Sequence, residues 1–160
     1  CQPEFILGPF MRARCLWNHY LPRNRTRQKA KSVFQKAACT ACYVIQGEGI
    51  DFGPELSAIG DTLSRADMVS AILQPSQTIS LGFKGFTIEL DDGTQYTGYK
   101  SGKSETTLSL RMMGRLQKDL NVSKIKYRDQ MKDSLMPAGI DLAISSDELV
   151  DLVGWLMDQK

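Results

Sequence analysis

The alternation of hydrophobic and polar residues predicts three helices and a small antiparallel sheet. In 28–38 apolar residues recur at i, i+3, i+4 and i+7, the period of a helix. A second apolar stripe runs through 64–75, after the helix-capping residue Ser64. Ser145 and Glu148 have the spacing of a capping box, and a third helical stripe follows them.

Between the second and third helices the period changes from helical to strictly alternating, which is typical of strands. The alternating segments are 86–90, 95–100, 106–112 and 122–127. An Asp-Gly pair within 91–94 is typical of a tight hairpin turn. We therefore expect an antiparallel sheet inserted at about 83–128, between helices.

Composition is that of a globular domain. Of the 160 residues 42% are hydrophobic and 24% are charged, which excludes a disordered or fibrous chain. No apolar run approaches the roughly 18 residues of a membrane-spanning helix. The chain starts at Cys1 and not at a methionine, so we expect it to be a piece of a longer protein.

Positive charge is concentrated at the start of the chain. Residues 1–36 carry eight basic residues and one acidic residue. Such a segment can bind nucleic acid or an anionic membrane, but here the basic residues form no helical stripe. We interpret 1–27 as a solvated linker or the tail of an upstream domain.

The sequence Cys39-Thr40-Ala41-Cys42 is followed by Tyr43. With histidine at position 43 it would be the C-x-x-C-H attachment site of a c-type haem. Without it, the pair is also compatible with a redox dithiol, half of a metal site or a disulfide. The pair lies after a helix and before a Gly-rich loop, which favours haem attachment over a thioredoxin-like arrangement.

Met136 lies in "DSLMPAGI", where Pro137 and Gly139 define a non-helical loop. Methionine is usually a core residue, and that interpretation stays open here. A thioether on a defined loop is also what a haem iron takes as an axial ligand.

Residues 28–160 resemble the cytochrome-c-like haem-binding domain found at the C-terminal end of many large secreted proteins of planctomycetes and verrucomicrobia. The segments that carry the resemblance are "VFQKAACTAC", "GEGIDFGPELSAIG", "SRADMVSAILQPSQTI", "LDDGTQYTGY", "DSLMPAGI" and "ISSDELVDLVGWL". They occur in the order of the family and at similar spacing.

The resemblance implies a mostly α, cytochrome c fold with an inserted antiparallel β-sheet, an α+β arrangement. It implies one-electron transfer through a covalently attached haem c and its iron, without an enzymatic reaction of the domain's own. The expected partner is a redox protein or an upstream domain of the same polypeptide, with no nucleic acid and no membrane span. The expected location is the periplasm or another extracytoplasmic compartment.

The residues that the resemblance assigns to the haem are Cys39, Cys42, Tyr43, Gly53, Pro54 and Met136. The two cysteines would form thioethers, Gly53-Pro54 would line the proximal side, and Met136 would be the distal iron ligand. Phe34 and Trp155 would pack together where the first and last helices cross.

Tyr43 departs from the family pattern, which has the proximal histidine at this position. Tyr43 would ligate iron as a phenolate, or the haem would be absent, or the tyrosine would be a recent or technical single-base change. The lone histidine, His19, lies in the irregular leader. The alternative function is a haem-free interaction module in which Cys39 and Cys42 form a disulfide.

Overall fold

The structure, a computed structural model, describes residues 27–160. His19, Cys1, Cys15 and the linker proposed over 1–27, except for its last residue, lie outside the described residues.

Four short helices form one part of the described chain. They are α1 (Arg27–Lys36), α2 (Ile59–Thr62), α3 (Arg65–Leu73) and α4 (Ser146–Met157). The predicted caps are confirmed. The Ser64 side chain accepts from the Asp67 amide, and Ser145 and Glu148 form a complete capping box at the start of α4.

The apolar faces of the helices meet in a shared core. The Phe34 ring on α1 packs edge-on against Trp155 on α4, with centroids 5.4 Å apart and planes at 64°. The predicted contact between the first and last helices is therefore confirmed. Met68, Val69 and Ile72 on α3 are buried in the same cluster, so this core supports one wall of the site described below.

The antiparallel sheet is the largest element of the described part. Its strands are β3 (Gly85–Leu90), β4 (Gln95–Lys103), β5 (Thr107–Met112), β6 (Leu116–Asn121) and β7 (Ile125–Gln130), in the order β6-β5-β4-β3-β7. The predicted Asp-Gly turn joins β3 to β4, and there the Asp92 carboxylate accepts from the Thr94 amide at 2.8 Å.

One face of the sheet has an apolar core of its own. Ile88, Leu108 and Leu110 are 0% exposed, and Leu120 is 2% exposed. These residues alternate along their strands and meet across β3, β5 and β6, so the sheet buries its apolar surface without help from the helices. A second, two-stranded sheet pairs β1 (Val44–Ile45) with β2 (Glu48–Gly49).

The prediction of a mostly α, cytochrome c fold is wrong. A five-stranded and a two-stranded antiparallel sheet stand beside small helices, so the described part is a β-rich α+β fold. The prediction overestimated the helices and underestimated the sheet. The helices are only 4 to 12 residues long, and the sheet is a self-supporting core instead of a minor insertion.

The prediction of the last strand was also incomplete. The structure has β6 at Leu116–Asn121, a 3₁₀ turn at Val122–Lys124 and β7 at Ile125–Gln130, where the alternation indicated one strand at 122–127. Strand β6 was missed because five of its six residues are exposed, so its sequence carries almost no alternation. None of the helices within 27–160 has both the length and the apolar character needed to cross a membrane.

Candidate functional site

The two cysteines lie on a turn that follows α1, which we call the thiol turn (residues 38–42). Ala38 ends the helix in the left-handed conformation, with φ 56°, and a 3₁₀ turn then covers Cys39–Ala41. The left-handed residue redirects the chain, as the residue after a helix C-terminus often does. Both thiols are free and half-buried.

Burial makes both thiols poor nucleophiles. The pKa of Cys39 is raised from 9.0 to about 11, chiefly by burial; a backbone hydrogen bond lowers it and the neighbouring Cys42 raises it, each by less. Burial also raises the pKa of Cys42. A dithiol oxidoreductase depends on a thiol whose pKa is lowered. In the thiol turn the pKa of both thiols is raised, which is the opposite of what that chemistry requires.

Tyr43 and Met136 contact each other directly. The Tyr43 hydroxyl donates a hydrogen bond to the Met136 Sδ at 2.9 Å, across 93 residues of chain. Burial, and then the two neighbouring thiols, raise the pKa of Tyr43 to about 12. Tyr43 is therefore a neutral phenol at physiological pH, not a phenolate.

The loop that carries Met136 is anchored by its own backbone. The Met136 amide donates to Ser134 Oγ at 3.1 Å, and the Ser134 amide donates to Ser76 Oγ at 3.0 Å. Gly139 has φ 88°, a conformation that glycine adopts without strain. These contacts explain why "DSLMPAGI" holds its methionine at one place.

The segment 49–53, which we call the bracing loop, packs against the thiol turn and Tyr43. The amides of Phe52 and Gly53 both donate to the Cys42 carbonyl. A Cβ on Gly53 would lie 2.6 Å from the Tyr43 ring, so only glycine permits this approach. The structure thus places Gly53 against the Tyr43 ring.

Two neighbouring voids lie around the Tyr43–Met136 contact, with volumes of about 100 and 110 Å³. Residues that line both of them are Tyr43, Pro54, Ala71, Ser80 and Met136. Cys42 lines one void and Cys39 lines the other, in which the remaining residues are almost all apolar. We call the two voids together the cleft. The void next to Cys42 is also lined by Tyr43, Gly53, Pro54 and Met136, and the void next to Cys39 by Tyr43, Pro54 and Met136, so neither void is lined by both cysteines.

Sequence reasoning missed the aromatic wall that the sheet contributes. Phe83 and Tyr99 line the void next to Cys42, and their ring centroids are 5.0 Å apart. Nothing in the local sequence indicates that this end of the sheet faces the thiol turn.

The donor set fits a haem in part. Two thiols and a thioether at an apolar cleft are the groups that hold a c-type haem and ligate its iron. Tyr43 does not fit as the ligand opposite Met136. Metal–ligand bonds are about 2 Å long, so two opposite ligands lie roughly 4 Å apart, whereas the phenol oxygen and the sulfur are 2.9 Å apart.

A bare metal ion finds no site in the part of the chain that the structure describes. There, no group of three or more His, Cys, Asp or Glu side chains could hold one. The alternative in which the cysteine pair is half of a zinc site thus gains no support.

Comparison with protein-family models gives no match, and a search of curated proteins finds no significant relative.

Proposed function

We propose that residues 28–160 form an electron-transfer domain that carries a covalently attached haem c. The observation that carries this proposal is the placement of Met136 in the wall of two neighbouring voids, one lined by Cys42 and the other by Cys39. The two thiols come from one turn and the thioether from a loop 93 residues after Tyr43.

Each residue has a defined task in this proposal. Cys39 and Cys42 would hold the group through thioethers, and the Met136 sulfur would ligate its iron. The lining of the void next to Cys39 is mostly apolar, which suits the hydrophobic surface of a haem. When bound, the haem supplies the redox chemistry by taking up and releasing one electron.

Tyr43 acts against loading of the cleft. A flat group between the thiol turn and Met136 has to displace the hydrogen bond from the Tyr43 hydroxyl to Met136. In the metal-free chain burial, and then the two neighbouring thiols, raise the pKa of Tyr43 to about 12, so the phenol is neutral there. We therefore assign Tyr43 to the closed, haem-free state.

The partner in this proposal is a redox protein, or an upstream domain of the same polypeptide, that exchanges electrons with the haem. We place the domain in the periplasm or another extracytoplasmic compartment, as the resemblance implies. The domain carries out no substrate reaction of its own, and nucleic acid is not a partner.

The test is production of the full chain in a host that matures c-type cytochromes. We expect a Soret absorption band that stays with the protein after acid–acetone extraction, because thioether bonds resist it. The matched control replaces Cys39 and Cys42 with serine and should lose the band. A parent chain that shows no band in this host would contradict the proposal.

The second candidate is a haem-free interaction module. The observation that favours it is the Tyr43–Met136 hydrogen bond, which closes the space between the thiol turn and the methionine loop. In that case we expect Cys39 and Cys42 to form a disulfide in an oxidising compartment. Mass spectrometry of the secreted chain distinguishes the two functions, because a peptide with residues 39–42 carries either a haem or an intact disulfide.

A further inference from the structure

The turn between β5 and β6 contacts the bracing loop. Arg115 donates from Nη2 to the Gly49 carbonyl at 2.8 Å. Arg111, at the end of β5, donates from Nη1 to the Asp51 carboxylate at 2.8 Å. The partners are 66 and 60 residues apart in the chain, so both contacts join the sheet to the bracing loop through tertiary structure.

The bracing loop cannot move independently of the thiol turn. The Ile50 amide donates to the Thr40 carbonyl at 2.9 Å, and the Phe52 amide donates to the Cys42 carbonyl at 3.1 Å. The contact is also tight at Gly49, where an added Cβ would lie 2.0 Å from the Tyr43 carbonyl oxygen. Movement of the loop is therefore transmitted to the residues between the two thiols.

Aromatic packing between β4 and the bracing loop adds to the contacts that the two arginines make. The Phe52 ring on the bracing loop lies 5.4 Å from the Tyr99 ring on β4. Tyr99 is the cross-strand partner of Arg111, so both side chains project from the same face of the sheet. The sheet thus meets the bracing loop through two arginines and one aromatic ring.

We propose that Arg111 and Arg115 are positioning residues that hold the bracing loop against the thiol turn, so that the sheet determines how Cys39 and Cys42 are presented to the cleft. The role follows from geometry in the haem-free chain. Only its consequence for haem attachment rests on the proposed function. Two covalent bonds to one rigid group require the two thiols at a defined separation and orientation, which a loosely held turn does not provide.

The test measures thiol access in the reduced, haem-free full chain. Iodoacetamide alkylation of Cys39 and Cys42 is followed by peptide mass spectrometry in the parent and in Arg115→Ala. Arg115 is exposed, so the substitution leaves both cores intact. We expect both thiols to react about tenfold faster, because one charge-assisted hydrogen bond that restrains the turn is lost.

Lys126→Ala is the matched control. It removes a charge-assisted hydrogen bond of 2.9 Å to Glu89 in the same sheet, between β3 and β7, which lie on the other side of β4 from β5. Arg115→Lys keeps a cationic donor and should restore most of the parent rate. Alkylation in Arg115→Ala at the Lys126→Ala rate would overturn the proposal. The proposal would also be overturned if the faster alkylation were accounted for by a general loss of stability, measured as a lower urea midpoint of Arg115→Ala.

Haem attachment provides the second readout. In the host that matures c-type cytochromes, Arg115→Ala should lower the yield of covalent haem, whereas Lys126→Ala should not. If the parent chain acquires no haem, the proposed function fails, and the alkylation comparison still decides the positioning role. If haem yield is normal in Arg115→Ala while alkylation is faster, the consequence for attachment is refuted.

Discussion

The hydrogen bond between Tyr43 and Met136 leads to a quantitative prediction for the haem-free chain. Both side chains are half-buried, and the donor and acceptor atoms are 2.9 Å apart. A net intramolecular hydrogen bond contributes about 0.5–1.5 kcal/mol, and a thioether is a weak acceptor. We therefore expect a coupling free energy of about 0.5–1 kcal/mol between the two side chains.

A double-mutant cycle measures this coupling. Tyr43→Phe removes only the hydroxyl, Met136→Leu replaces the thioether with a similar volume, and the double variant removes both. Urea unfolding of the reduced chains near neutral pH gives the free energy of unfolding for each, and equal slopes are required for the comparison. If the effects of the single substitutions add fully, the hydrogen bond contributes nothing and the assignment of Tyr43 to a closed state fails.

The same contact predicts how residue 43 affects haem loading. Tyr43→Phe removes the bond that a bound group has to displace, so the yield of covalent haem should rise by about two- to fivefold, which corresponds to about 0.5–1 kcal/mol. Tyr43→His should raise it further, because it completes the C-x-x-C-H motif and supplies an imidazole ligand. Unchanged yields in both variants would show that residue 43 does not limit loading.

The remaining predictions concern the backbone and the thiols. Gly49→Ala should destabilise the chain by about 2–4 kcal/mol, because the added Cβ would meet the Tyr43 carbonyl. Gly47→Ala should cost only about 1 kcal/mol, because no atom lies within 4 Å of a Cβ at that position. Equal urea midpoints for the two variants would contradict this prediction. Ala38→Gly should stabilise the chain by about 1 kcal/mol, since residue 38 has φ 56°; an unchanged or lower urea midpoint would contradict it. Stability should fall between pH 9.0 and about 11, because in this range the unfolded chain ionises Cys39 while the folded chain keeps the neutral thiol. Cys39→Ser should remove part of that fall in urea titrations across this range, and an identical pH profile in the variant would refute the assignment.

Local sequence patterns were enough to predict those helices and strands in which buried residues recur with a single period. Helix α4 has both a capping box and an apolar stripe, and the burial of strand β5 alternates, so each carries its own signal. Strand β6 carries none, because as an edge strand it buries only Leu120. The missing signal, together with the self-contained core of the sheet, is why the relative weight of helix and strand was predicted wrongly.

The candidate residues were all found from short motifs, but their relations were not. The cysteine pair and the methionine loop are local features that any reader of the sequence can find. Tyr43 forms a hydrogen bond with Met136, and Arg111 and Arg115 form hydrogen bonds with the bracing loop. Each of these contacts joins segments 60 or more residues apart.

The amino-acid sequence alone thus determined which side chains are candidates for the chemistry, and where helices begin, because caps, periodicity and spacing act over a few residues. How the sulfurs, the phenol and the sheet arginines come together depended on the folded chain. Long-range packing selects among many arrangements that share the same local preferences, so no short segment contains that information.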